Sequence, residues 1–198
     1  MARIRLGMVG GGNDAFIGGV HRFAARIDDR FDLVAGALSS TPEKSAASAE
    51  ALGIPRSYGS YDEMAKAEAA REDGIEAVSI VTPNHVHAAA AKAFLAQGIH
   101  VICDKPLTST MEDAAELEQA VADSKALFIL THNYTGYPMI RQARDMIASG
   151  ELGAIRIVQA EYSQDWMTSP VENEGVKQAE WRTDPARSGA GGSIGDIG

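Results

Sequence analysis

Cysteine is nearly absent from this chain: Cys103 stands alone among 198 residues. No intramolecular disulfide can form, a pattern that fits a reducing compartment. Cys103 lies in the apolar run His100-Val101-Ile102-Cys103, where a thiol reads as core packing. Basic residues are also in deficit. Lys and Arg number 18 against 27 Asp and Glu, a formal charge of −9. With no basic cluster, nucleic acid and anionic membrane are excluded as expected partners. A nucleotide cofactor is not excluded, because main-chain amides at a helix N-terminus bind phosphate without net positive charge. No apolar run reaches membrane-spanning length, and no signal-peptide pattern precedes the strand-like residues 4–9. The expected location is cytoplasmic. Internal repeats and low-complexity tracts are absent as well.

What is present is ordinary for a soluble globular protein: 45% hydrophobic and 23% charged residues. A chain of this size buries roughly 70% of the surface its unfolded form exposes. Strand-like and helix-like patterns alternate, which predicts a parallel α/β sheet. Strands are expected at residues 4–9, 31–38, 57–58, 77–81, 100–103 and 127–131. Helices are expected through His21, Ala24 and Ala25, from Thr41-Pro42 to Gly53, up to Arg71, at 85–97 and at 111–124. A further helix is expected at 138–149, ending at Gly150, and a half-exposed strand at 155–162. The predicted fold class is α/β: one doubly wound parallel sheet of roughly 130 residues, then a second domain that begins near residue 151 and does not finish.

Gly10-Gly11-Gly12-Asn13-Asp14-Ala15 follows the first strand and matches G-x-G-x-x-G/A. Glycine permits the tight turn and a close approach to pyrophosphate. Gly10, Gly12, Asn13, Ala15, Phe16 and Ile17 are therefore candidate cofactor contacts, with Phe16-Ile17-Gly18-Gly19 expected to delay the helix slightly. At the tip of the second strand, Ser39, Ser40 and Lys44 replace the carboxylate that would accept the ribose 2′-hydroxyl of NAD. Hydroxyls and a cation suit a 2′-phosphate, which favours NADP over NAD. The plainer reading is a helix cap at Ser40-Thr41 and a solvated Lys44. Thr82, Pro83, Asn84 and His87 follow the fourth strand, where short polar side chains can face the nicotinamide half or simply form a turn. His85 and His87 lack the spacing and the company of a metal site, so no metal is expected. Asp104-Lys105-Pro106 puts a lysine at the carboxyl end of the fifth strand, the end at which open α/β sheets bind ligands. Asn133 marks the exit from the first domain. Trp181 beside Arg182 forms a pair suited to stacking on a flat ring or to binding phosphate.

Together these residues resemble the glucose–fructose oxidoreductase / inositol dehydrogenase (Gfo/Idh/MocA) family. The resemblance rests on the glycine loop, Thr82-Pro83-Asn84 with His87, Lys105-Pro106, Trp181-Arg182 and the run from Gly191 to Gly198. It implies a Rossmann doubly wound parallel sheet over residues 1–133, then the truncated start of an α+β substrate domain at 134–198, and oxidation of a sugar, cyclitol or polyol hydroxyl, or reduction of the matching carbonyl, with NAD(P). It implies that Lys105 hydrogen-bonds the reacting hydroxyl and that Asp196 is catalytic. The family's histidine would fall beyond Gly198, so the chain is expected to be part of a longer enzyme that forms homo-oligomers. Asp104 departs from the family's glutamate and is one methylene shorter. Two alternatives share these residues: a non-catalytic dinucleotide-binding module, and an NAD-dependent glycoside hydrolase of the same fold.

Overall fold

The computed structural model describes residues 2–13, 15–176, 179 and 182–184. It divides into two compact units, Met1–Thr131 and His132–Gly198. In the first, β1 (Ile4–Gly10), β2 (Phe31–Ala37), β3 (Arg56–Ser57), β4 (Ala77–Val81), β5 (His100–Asp104) and β6 (Phe128–Thr131) form one sheet in the order β3-β2-β1-β4-β5-β6. Every neighbouring pair is parallel. The chain winds outward twice from the centre, so β1 and β4 lie side by side and their carboxyl ends flank the point where the strand order reverses. The helices between them are α1 (Phe16–Ile27), α2 (Pro42–Leu52), α3 (Tyr61–Ala69), α4 (His87–Leu95) and α5 (Met111–Asp123).

Both faces of the sheet are covered, which explains the continuous apolar runs in its central strands. β4 is buried from end to end. Val9, Val78, Ile80, Phe94, Val101 and Leu117 belong to the larger core cluster. Met8 and Val81, one residue along from Val9 and Ile80, belong to a smaller one with Leu38, Ala49 and Ile54. This alternation is the two-residue period of a strand covered on both sides.

Local capping follows the sequence in most places. Ser60 and Thr110 accept hydrogen bonds from the amides of Glu63 and Asp113, capping α3 and α5. Thr41 occupies the N-cap position of α2, but its side chain makes no cap bond; Pro42 starts the helix and left-handed Gly53 ends it. At the sheet edge, Glu68 is fully buried and fully partnered. It receives two bonds from Arg56 at 2.7 and 2.8 Å, one from the Tyr58 hydroxyl at 2.6 Å and one from the Ile75 amide at 3.0 Å.

The second unit carries a 3-10 turn at Asn133–Gly136, α6 (Pro138–Ala148) and a 3-10 turn at Val171–Glu174. The helix expected at 138–149 is present, and left-handed Gly150 follows it. The strand expected at 155–162 is not. Those residues are exposed and have no regular structure. Alternation gives a segment one apolar face, but a strand exists only with a partner for its amides, and among the described residues none pairs with this one. Tyr162 does bond Tyr134, hydroxyl to hydroxyl, at 2.8 Å.

Candidate functional site

The carboxyl ends of β1, β2, β4 and β5 carry most of the predicted residues. Gly10 closes β1 in the left-handed region, at φ 75°. Gly11 is also left-handed, at φ 72°, and a Cβ there would stand 2.9 Å from the Cα of Gly18. A Cβ on Gly18 would in turn collide with the Gly11 main chain. These two glycines let the start of α1 press against the loop. The helix is not delayed: it begins at Phe16, directly after Ala15, and Gly18 lies within its first turn. Ala15 offers no side-chain cap and the first turn holds no acidic residue. The first-turn amides therefore point out with a partial positive charge and no side-chain cap of their own.

Side chains not singled out in the sequence hold this loop. Ser48 of α2 accepts the Asn13 amide at 3.4 Å. Arg22 of α1 donates to the Gly11 carbonyl, and its Nη1 lies 3.6 Å from Met8 Sδ. Burial, then the charge of Arg26, lowers the proton affinity of the Arg22 guanidinium. Phe16 is largely exposed, while Ile17 packs against the smaller core cluster.

At the tip of β2, Ser39 is half-buried, and Ser40 and Lys44 are exposed. The turn beneath them is pinned by Ser45, whose hydroxyl accepts the Leu38 amide at 2.9 Å and donates to the Tyr58 carbonyl at 2.8 Å. Next to β1, Thr82 leaves β4 half-buried. Its Oγ1 is buried with no hydrogen-bond partner among the described residues, and its methyl lies 3.0 Å from the position a Gly10 Cβ would take. Pro83 is exposed and Asn84 opens a 3-10 turn. His87 begins α4 and is fully buried, with both ring nitrogens facing main-chain carbonyls.

Lys105 follows β5 and is half-buried. Asp104 turns instead to a side-chain network. Its Oδ1 accepts from Thr131 Oγ1 at 3.0 Å and lies 3.6 Å from Nε2 of His21, whose Nδ1 is 2.8 Å from Ser79 Oγ. Burial pushes the Asp104 carboxyl up, but the bonds from His21 and Thr131 outweigh it and hold it below the usual carboxylate range. Helix α1 is thus tied to β4, β5 and β6. His21, Arg22 and Ser48 were legible only as polar residues on helices that cover the sheet; nothing in their spacing marks them.

Asn133, in the second unit, is exposed in its 3-10 turn. Arg182 stands over the ring of Trp166, its guanidinium carbon 5.5 Å from the ring centroid. Trp181 and Asp196 lie outside the described residues. Among the described residues, no group of three or more His, Cys, Asp or Glu side chains is arranged to hold a metal ion, and no helix is long and apolar enough to cross a membrane.

Comparison with known proteins matches this geometry. The family described as "Oxidoreductase family, NAD-binding Rossmann fold" matches residues 4–132, and the "GFO/IDH/MocA C-terminal domain" matches residues 140–198. A solved oxidoreductase from Sinorhizobium meliloti is 66% identical, with a TM-score of 0.81 over 85% of this chain and 47% of its own. An inositol dehydrogenase homologue from Azotobacter vinelandii, solved in complex with NAD+, is 41% identical, with a TM-score of 0.92 over 99% of this chain and 51% of its own. The levoglucosan dehydrogenase of Pseudarthrobacter phenanthrenivorans is 30% identical across 100% of this chain and 49% of its own. The chain spans about half the length of the curated relatives it matches. With a parallel six-stranded Rossmann sheet and both family domains matched, the chain belongs to the Gfo/Idh/MocA oxidoreductase family, whose N-terminal domain binds NAD.

Proposed function

We propose that this protein is an NAD(P)-dependent dehydrogenase that interconverts a hydroxyl and a carbonyl on a sugar, cyclitol or related polyol. The observation that carries the reading is the buried Oγ1 of Thr82, unpartnered among the described residues, on the residue that follows β4 at the strand-order reversal. A buried hydroxyl with no partner costs free energy unless something bonds it, and ligands in such sheets bind at this point. The rest of the strand-end site fits a dinucleotide. Gly12 is buried so close to the Leu38 carbonyl and Ser48 that a Cβ would stand within 2.9 Å of both, and the missing side chain lets the loop pack tightly against β2 and α2, as a pyrophosphate-binding turn requires. The first-turn amides of α1, free of any side-chain cap, supply the partial positive charge.

When bound, the nicotinamide accepts or delivers the hydride, and the protein supplies binding and orientation. Thr82, Pro83 and Asn84 line the nicotinamide half. Lys105 hydrogen-bonds the reacting hydroxyl, takes its proton as the carbonyl forms, and returns it in the reverse direction. Asp196, Asn133, Trp181 and Arg182 complete the assignment by family resemblance. Hydroxyls at Ser39 and Ser40 with the Lys44 cation, and no carboxylate at the β2 tip, favour a 2′-phosphate and hence NADP.

Fluorescence titration with NADPH and NADH side by side tests this. Saturable binding of both, tighter for NADPH, is the expected result. Negligible binding of either would sink the reading, and tighter NADH binding would sink its NADP component. For activity, oxidation of polyols with stoichiometric cofactor reduction is expected, and glycoside cleavage without net reduction would point to the hydrolase alternative.

A further inference from the structure

The ring of His87 lies between the two loops of the proposed nicotinamide site. It is the first residue of α4 and has no exposed surface. Its Nε2 is 3.0 Å from the carbonyl oxygen of Thr82, and its Nδ1 is 2.8 Å from that of Pro106. Both partners are acceptors, so a protonated ring nitrogen donates to the carbonyl it faces. A neutral imidazole carries one N–H and satisfies one carbonyl; a ring with both protons satisfies the two together. Either way the polar atoms of the side chain are spent on main chain. None is left to bond a cofactor or a substrate, which overrules the direct cofactor contact expected from the sequence.

The two carbonyls belong to separate strands' ends. Thr82 is the residue after β4 and carries the unpartnered hydroxyl. Pro106 is bonded directly to Lys105 after β5. One imidazole thus spans the interval between the group that would orient the nicotinamide and the amine that would move the proton.

We propose that His87 is a positioning residue, which clamps the loop after β4 to Lys105-Pro106 and preorganises the nicotinamide half of the site. This rests on the dinucleotide reading above. The clamp lies at one end of that site. The glycine loop and the β2 tip, which would hold the adenosine and pyrophosphate, are stabilised by Ser48, Arg22 and Ser45 instead. Losing His87 therefore weakens the binding of a ligand that reaches past Gly10, and spares one that stops short of it. Ordering two loosened loops on binding takes away affinity without removing any direct contact.

The test compares His87→Leu with the unaltered protein, using the preferred dinucleotide and its matching fragment, ADP-ribose or 2′-phospho-ADP-ribose, which lacks the nicotinamide. The expected result is a rise in Kd for the dinucleotide of about tenfold, the effect of one or two hydrogen bonds, with the fragment's Kd unchanged. Equal weakening of both, as general destabilisation of α4 would produce, overturns the clamp. So does an unchanged Kd for both. If the unaltered protein binds neither probe, the dinucleotide reading falls and the clamp falls with it. Should His87→Leu fail to fold, His87→Gln, which keeps a donor nitrogen, carries the same comparison with a smaller dinucleotide loss expected and the same overturning results.

Discussion

Lys105 and Gly18 show two ways in which one residue matters here. Lys105 is half-buried at the end of β5, with its neighbouring carboxylate already engaged by Thr131 and His21. If it moves the proton, Lys105→Met lowers kcat by about 10²–10⁴-fold, the usual cost of losing a general base, while the Kd for dinucleotide stays within a few-fold. Parallel rate and titration measurements check this; an unchanged kcat removes Lys105 from the chemistry. Gly18 matters through space alone. Gly18→Ala pushes its new methyl into the Gly11 main chain, and a misfit of that kind costs roughly 1–3 kcal/mol. A lower Tm together with weaker dinucleotide binding is expected, because the loop that moves is the one proposed to meet the phosphates. The motif G-x-G-x-x-G/A, counted along the sequence, ends at Ala15. The glycine that lets helix meet loop lies three residues later, inside the first turn of α1. A count of residues along the motif cannot see that approach, whereas a collision in space shows it at once.

Among the elements, the short strand β3 is held to β2 by main-chain pairing and to α3 by Glu68. Arg56 and Tyr58, in and beside β3, converge on this α3 carboxylate, which also receives the amide of Ile75 just before β4. Burial pushes the Glu68 carboxyl up, but its bonds from Arg56 and Tyr58 prevail and hold it below the ordinary value of 4.5. Because the folded form binds the proton more weakly than the unfolded one, the group's contribution is complete above about pH 4.5 and is lost as pH falls through the lower folded value. Acid titration followed by circular dichroism should show stability declining in that window. Glu68→Gln should flatten this part of the curve and cost about 3 kcal/mol at neutral pH, since it leaves Arg56 with a buried and weakened partner. An unaltered acid profile in the variant would count against the assignment. Most helices and strands of this unit were legible from apolar period and from Pro42, Gly53 and Gly98. The Glu68 knot was not, because its members are separated in sequence and each alone reads as a surface charge or a strand residue. Residues 155–162 failed in the opposite way: their alternation was real, but pairing depends on a partner that no local pattern encodes.

Across the whole molecule, burial is uneven. The buried clusters belong to Met1–Thr131, while the described residues of the second unit are largely exposed. Amide hydrogen exchange should follow that division. Protons of β4, paired on both sides and buried throughout, are expected to exchange only through global opening, and those of 155–162 orders of magnitude faster. Comparable protection in the two segments would contradict the structure. The same core encloses Cys103, which has no exposed surface and whose thiol is pushed up to about 12, chiefly by burial and then by the charge of Asp104. A sulfur so shielded is neither a nucleophile nor an oxidation target while the sheet is intact. With no other thiol in the sequence to compete, its alkylation by a maleimide dye becomes a built-in clock for the opening of the central strands, readable without substituting any residue of the protein.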